Sequence, residues 1–174
     1  DEGEPGTFKD RYLMELRPQL VLEGVELAMG FCETDRAFIY LREEYAAART
    51  RLRDAIAARG LAIEIVVGAG SYVCGEESAM LESMEGRRGM PRLRPPYPAQ
   101  YGYLGLPTLI SNVETFAHVA RIVCGEWSPA RLWSVSGAVA QPGCYEAPLD
   151  VTSRQLIDDY AGGATDEIGA IVPG

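Results

Sequence analysis

The chain has 174 residues and a formal net charge of −9, with a pI near 4.7. That length suits one ordinary domain, or one domain with part of a second. The acidic balance argues against nucleic acid or an anionic membrane as the main partner, because both attract basic faces; apolar runs fall short of the ~20 residues of a membrane helix, so no direct membrane insertion is expected.

The first stretch, Asp1 to Gly6, sets Asp1, Glu2 and Glu4 among turn formers, and Thr7 with Asp10 predicts a capping box for a short helix. Pro18 suits the first turn of a second helix, in which Val21, Val25, Ala28 and Met29 recur at helical spacing and should pack on a sheet. Ala37 to Leu41 is short, continuous and apolar, as a strand buried on both faces would be. Tyr45, Ala48, Leu52, Ala55 and Ile56 mark one face of a third helix, with Gly60 as its stop. Ala62 to Val67 predicts the next strand. This alternation implies an α/β fold: a parallel sheet flanked by helices.

That strand runs into Val66-Val67-Gly68-Ala69-Gly70-Ser71-Tyr72-Val73-Cys74-Gly75-Glu76-Glu77-Ser78 and then a helix to Met84. A strand feeding a Gly-rich loop at a helix N-terminus lets a sheet hold a flat, anionic cofactor against bare backbone. The spacing GxGxxxxG matches neither the dinucleotide fingerprint nor the phosphate loop. Two readings stand on these residues alone: a cofactor site, or a tight turn with two acids on the helix dipole.

After Gly86, Arg87, Arg88, Arg92 and Arg94 alternate with Pro91, Pro95, Pro96 and Pro98, which predicts an extended, semi-rigid strap. It reads either as a basic strap for a phosphate or acidic partner, with Tyr97 as an aromatic face, or as a surface connection solvated by its arginines. Ser111 with Glu114 predicts a capping box, Asn112 inside it, for a helix to about Val123. His118, the only histidine, reads as structural.

From Arg131 the pattern changes. Leu132 to Val139 and Cys144 to Leu149 predict two strands around a Gln141-Pro142-Gly143 turn; Thr152 and Gln155 cap a helix to Ala161, and Ile168 to Val172 predicts a third strand. Two strands, a helix and a strand make most of a ubiquitin-like β-grasp module, so residues 1–129 are expected to form one domain and 130–174 part of another. Cys32, Cys74, Cys124 and Cys144 lie far apart without a CxxC pair. Isolated, buried, reduced thiols are expected, without a metal site, in a cytoplasmic or otherwise reducing compartment.

With these residues laid out, the chain resembles the family of 51 kDa type FMN- and NADH-binding subunits found in respiratory complex I, NAD-reducing hydrogenases and NAD-dependent formate dehydrogenases. The blocks that carry the resemblance are residues 1–10, 68–79, 85–86, 94–100, 107–108 and 112–115, in that order. It implies a Rossmann-like, partial flavin domain followed by a partial soluble-ligand-binding β-grasp domain, in a subunit where FMN exchanges hydride with NAD(H) and passes single electrons to iron-sulfur clusters of partner subunits. Asp1, Glu4, Tyr72, Gly75, Glu76, Glu77, Ile110, Asn112 and Thr115 match flavin-contacting positions. Glu4, Glu77 and Tyr97 match NADH positions, Tyr97 where the family usually has Phe under the adenine. No protein nucleophile is implied; Glu4 and Glu77 would tune the flavin, one charge pair at ~6 Å and an effective dielectric near 20 being worth roughly 3 kcal/mol.

Departures accompany the likeness. The family's other Gly-rich loop and its Cys-rich, 4Fe-4S-binding segment are not in this sequence, so the chain is expected to be a central piece that alone neither retains FMN nor oxidises NADH. The Gly60 to Ala62 connection is short, Val67 stands where Arg is common, and Ser111 replaces a frequent Asn. A diverged, non-catalytic scaffold or interaction module of a redox complex is the competing reading; Glu4, Glu76, Glu77, Tyr97 and Asn112 standing together disfavour it.

Overall fold

The computed structural model describes residues 1–173. In chain order it contains α1 (Lys9–Leu16), α2 (Pro18–Phe31), β1 (Ala37–Arg42), α3 (Ala46–Arg59), β2 (Ile63–Gly68), a 3-10 turn (Tyr72–Gly75), α4 (Glu77–Met84), a second 3-10 turn (Tyr103–Gly105), α5 (Val113–Val123), β3 (Ala130–Val135) and β4 (Gly143–Pro148). A last helix, α6, begins at Ser153–Gln155 and continues as a π-helical turn over Leu156–Tyr160. β1 and β2 pair in parallel, Ala37 opposite Ile63 through to Arg42 opposite Gly68. Both strands therefore end side by side, β1 at Arg42 and β2 at Gly68, the first glycine of the Gly-rich loop; Asp1 to Gly6, ahead of α1, form the acid loop.

Leu22 and Val25 of α2, Ile39 and Leu41 of β1, Ala48, Leu52 and Ala55 of α3, and Ile63 of β2 share one buried core with Met14. Each set sits on the face its period predicts. β1 is fully buried on that face alone: Phe38 and Tyr40, on the other, are half-buried, with the Phe38 ring 5.0 Å from Tyr103 and the Tyr40 hydroxyl 2.9 Å from Ser83 Oγ. Gly60 ends α3 in the left-handed region, at φ +63°. α2 also packs on α5, and the approach is close enough that a Cβ on Gly24 would lie 1.8 Å from the Phe116 carbonyl oxygen.

In the tail, β3 and β4 form an antiparallel hairpin, Ala130 opposite Pro148 and Val135 opposite Gly143. Thr152 and Gln155 close the expected capping box. The expected first strand stops at Val135, where Gly137 turns the chain at φ +98°. The third strand expected over Ile168 to Val172 does not form: an isolated bridge pairs Val139 with Ala164 just before it, and Ile171 and Val172 stay exposed. An apolar run becomes a strand only when a neighbour takes its backbone bonds, and among the described residues none lies beside it.

The cysteines are all free, but only Cys74 is buried; Cys144 is half-buried and Cys32 and Cys124 are exposed. The reason is local. Cys32 and Cys124 occupy the C-cap positions of α2 and α5, where each helix leaves the core. Among the described residues no group of His, Cys, Asp and Glu is arranged to hold a metal ion, and no helix is long and apolar enough to cross a membrane.

The α2 glycines offer a paired test. Gly24→Ala forces a methyl into the α5 backbone and should lower stability by about 1–3 kcal/mol or more, whereas Gly30→Ala, with nothing within 4 Å of the new Cβ, should raise it by up to about 1 kcal/mol. Urea unfolding midpoints of the two variants should move in opposite directions.

Candidate functional site

The acid loop is held from three sides. Glu2 reaches α1, its Oε1 accepting from the Asp10 N–H at 3.0 Å and its Oε2 from the Arg11 N–H at 3.3 Å and the Tyr45 hydroxyl at 2.9 Å. It thereby satisfies the helix's free N-terminal donors, and the expected Thr7/Asp10 capping box is replaced: the N-cap position is Phe8, which makes no side-chain cap. Burial, with the Glu2 carboxylate next in order, pushes the Tyr45 phenol far above its ordinary range. The Asp1 side chain is fully buried, with Oδ1 accepting from Arg42 Nη1 at 3.1 Å and Oδ2 without a hydrogen-bond partner. Glu4 is exposed and accepts from the Tyr72 hydroxyl at 2.6 Å.

The Gly-rich loop meets this acid loop. Gly68 lies under the Tyr40 ring, where a Cβ would come 2.1 Å from the hydroxyl oxygen, and Gly70 turns the chain at φ +77°. At Gly75 the position of a Cβ would be 3.5 Å from the Asp1 carbonyl oxygen, an ordinary contact. Glu76 then caps α4: its Oε2 accepts from the Ala79 N–H at 2.8 Å and from Ser78 Oγ at 2.5 Å. Burial would raise the Glu76 pKa, but these bonds and the nearby Arg94 outweigh it and hold the carboxyl below its usual range. Glu77, in the first turn, pairs with Arg94 at 3.0 Å, and Arg94 also bonds Glu76.

The strap runs over the surface, with Arg87, Arg88 and Arg94 exposed as a solvated connection requires, but three of its four arginines also pair with acids of α4 and its C-terminal end. Arg87 and Arg92 bond Glu82 and Glu85 at the end of α4, and Arg94 bonds the acids at its start. Hydrogen bonds from Arg87 and Arg92 bring the Glu82 carboxyl down to about 2. Tyr97 is 53% exposed and its N–H donates to Gln100 Oε1 at 3.1 Å.

Asn112, not Ser111, caps α5: its Oδ1 accepts from the Glu114 N–H at 2.8 Å while its Nδ2 donates to Asp10 Oδ2 at 2.7 Å. The Glu114 side chain points elsewhere, to Lys9 Nζ at 2.8 Å and the Leu132 N–H at 2.7 Å. It therefore joins α1, α5 and the hairpin. Thr115 is exposed on the first turn and Ile110 is half-buried just before it. His118, on α5, has Nε2 3.7 Å from Glu114 Oε1 and a buried Nδ1 without a hydrogen-bond partner.

Of the predicted residues, Glu4 bonds Tyr72 and Gly75 lies against Asp1; Glu76 and Glu77 follow Gly75 along the chain and share Arg94, and Asn112 connects to the first loop through Asp10 and Glu2. Tyr97 joins them only along the chain, three residues after Arg94. Sequence reasoning missed Glu2, Arg42, Arg94 and Glu114 as organisers. The partners that matter lie from 8 positions away, Asp10 for Glu2, to 43, Tyr45 for Glu2, and farther for Glu114 with Lys9, beyond any local motif; the one available signal was an Arg-rich strap following an acid-rich helix.

Parallel strands ending together at a glycine loop and a helix N-terminus, with an acid loop laid across them, define an α/β cofactor-binding domain; a hairpin-and-helix module follows it. Comparison makes the class specific. Residues 1–121 match the Nuo51 FMN-binding domain and residues 133–171 an SLBB domain. The chain belongs to this family, that of the complex I 51 kDa subunits.

Among relatives, an NADH-quinone oxidoreductase subunit of Aquifex aeolicus (strain VF5) is 44% identical over 189 residues, covering 94% of this chain and 44% of the relative. The corresponding NADH-quinone oxidoreductase subunit of Mycobacterium tuberculosis (strain ATCC 25618 / H37Rv) is 47% identical, with coverages of 94% and 42%. The crystal structure of an NAD+-reducing NiFe hydrogenase in the air-oxidized state superimposes with a TM-score of 0.86 at 45% identity, over 94% of this chain and 31% of that one. The chain spans less than half the length of these relatives.

Glu114 supplies a pH test. Burial raises its pKa, but the Leu132 N–H and Lys9 overcome that and hold it below the ordinary 4.5. A carboxyl depressed in the folded state adds stability that is present above its unfolded value and is lost as pH falls through the folded one. Glu114→Gln should therefore unfold at lower urea than the native chain at pH 7, with the gap closing as the pH drops below 4.5.

Proposed function

We propose that this chain forms one wall of the FMN and NADH pocket in a diaphorase-type flavoprotein subunit, with residues 1–129 as the flavin-domain part and 130–174 as the SLBB part. The observation that carries the reading is the junction of the acid loop and the Gly-rich loop at the ends of β1 and β2. There an exposed Tyr72 ring, a left-handed glycine turn and a buried Asp1 Oδ2 lacking a donor lie together. Those features fit a flat ligand that brings N–H and O–H donors.

When bound, FMN supplies the exchange between the hydride of NADH and single electrons. The chain's residues supply position and field. Asp1, Tyr72, Gly75, Ile110, Asn112 and Thr115 would line the flavin, with Glu76 holding the helix N-terminus beneath it. Glu4 and Glu77 would face the nicotinamide and keep negative charge near the ring, disfavouring reduction. Tyr97 would stack under the adenine. A 4Fe-4S cluster in a segment beyond this chain, iron-sulfur partner subunits and a cytoplasmic setting complete the proposal, supported by the names of the relatives, which are subunits of NADH-quinone oxidoreductase, and by the hydrogenase likeness.

Two outcomes are expected. In the complete subunit, Glu4→Gln and Glu77→Gln should each raise the FMN midpoint potential by tens of millivolts, ~30 mV being 1.4 kcal/mol for a two-electron couple; unchanged potentials in both would end the tuning role. The 174-residue chain alone should purify colourless and leave NADH unoxidised, and a yellow preparation with flavin absorbance would contradict that.

A further inference from the structure

The strap has no helix or strand between Arg87 and Gln100, and of the arginines that tie it down Arg92 makes the most bonds. The Arg92 guanidinium donates from all three nitrogens: Nε to Glu82 Oε1 at 2.6 Å, Nη2 to Glu85 Oε1 at 2.9 Å, and Nη1 to the Gly102 carbonyl at 3.1 Å. Its backbone N–H donates to Ser78 Oγ at 2.8 Å, on a residue that is 2% exposed. Glu85 Oε1 also takes the Leu104 N–H at 2.8 Å. Arg92 is thus bonded both to the strap's base on α4 and to the loop that follows the strap.

Between those two anchor points lies the turn that bears Tyr97. The Tyr97 carbonyl accepts from the N–H groups of Gln100 at 2.8 Å and Tyr101 at 2.9 Å, and the carbonyl of the buried Pro98 accepts from the Thr108 N–H at 2.9 Å. The turn is stiff within itself. Among the described residues, polar bonds from residues 94–102 to α4 run through Arg92 and Arg94. Arg94 sits on the partly exposed side facing Glu76 and Glu77; Arg92, at 19% side-chain exposure against 37% for Arg94, is the more buried anchor.

We infer that Arg92 is a positioning residue for dinucleotide binding: it fixes where Tyr97 presents its ring, and so sets affinity for the adenosine half of NAD(H) without touching the reacting atoms. This rests on the reading of Tyr97 as the adenine platform. The planar fork is what the site uses, because three acceptors in different directions are met at once. A lysine ammonium keeps the charge but loses that fixed geometry. The strap is on this account a fixed platform, and Leu93, 93% exposed beside Arg92, contributes nothing to holding it.

The test uses the complete subunit in its complex, with Arg92→Gln, Arg92→Lys, Tyr97→Ala and the Arg92→Gln/Tyr97→Ala pair. ADP-ribose, which carries the adenosine half and no nicotinamide, is titrated calorimetrically; FMN content and the KM and kcat for NADH with an artificial acceptor are measured alongside. Arg92→Gln and Tyr97→Ala should each weaken ADP-ribose binding and raise KM on the order of tenfold, Arg92→Lys less, while kcat and FMN content stay near native. The pair should be no weaker than the worse single variant, since a platform is lost only once. Tyr97→Ala without effect overturns the platform reading and the inference with it. Tyr97→Ala weakening binding while Arg92→Gln leaves it native, or the two adding in full, overturns the inference alone. Should Arg92→Gln fail to assemble, native ADP-ribose affinity in Arg92→Lys overturns it.

Discussion

Carboxylates crowd the place where β1 and β2 end, and the local structure is what it takes to hold them there. Two unpaired carboxylates ~4 Å apart repel by about 4 kcal/mol at an effective dielectric of 20. Each acid here is instead given a donor from a different element. Arg42 at the end of β1 holds Asp1, the first N–H groups of α1 and Tyr45 hold Glu2, and Tyr72 from the Gly loop holds Glu4. The α4 N-terminus takes Glu76, and Arg94 from the strap serves both Glu76 and Glu77. Meeting that demand ties β1, α1, the Gly loop, α4 and the strap together, in addition to the apolar core that joins α1 to β1 through Met14, Ile39 and Leu41.

Beneath the acids, the packing of α2 on α5 sets the second level. Gly24 lets the two helices close to backbone contact, and Leu13, Val21 and Ala117 fill the space beside it. That placement brings Asn112 and Glu114, at the start of α5, up to Asp10 and Lys9 of α1. Glu114 then accepts the Leu132 N–H, so the hairpin is bonded to the first turn of α5. A displacement of the hairpin would be felt at Asn112 through two hydrogen bonds, Leu132 to Glu114 and Glu114 to Asn112.

Much of the α/β part was legible because its cause is periodic. Ala48, Leu52 and Ala55 face the core at helical spacing, and Ile39 and Leu41 do so at strand spacing. Helix ends were less so. Thr7 with Asp10, and Ser111 with Glu114, satisfy a local rule that assumes the nearest acceptor wins; Glu2 reaches α1 from outside that window, and Glu114 is drawn off by Lys9 and β3. The strap's arginines met acids 2 to 18 residues away, which charge counting cannot pair. Ile168 to Val172 has the composition of a strand, but composition does not supply a neighbour. The family likeness carried the candidate residues; the geometry adds which of them are free.

That distinction divides the acids by function. A carboxylate has about four acceptor sites on its two oxygens. Glu76 commits Oε2 to Ala79 and Ser78 and Oε1 to Arg94, so it is built into the helix start and has little left for a ligand. Asp1 keeps one whole oxygen unbonded, but that oxygen is buried and can meet only a donor inserted beside it. Glu4 spends one acceptor on the hydroxyl proton of Tyr72, and Glu77 one oxygen on a partly exposed Arg94. Glu4 and Glu77 therefore combine spare acceptors with access to solvent, as does Glu44, which lies beside Gly70 and gives only one oxygen to Arg42, whereas Asp1 lacks the access and Glu76 the spare acceptors.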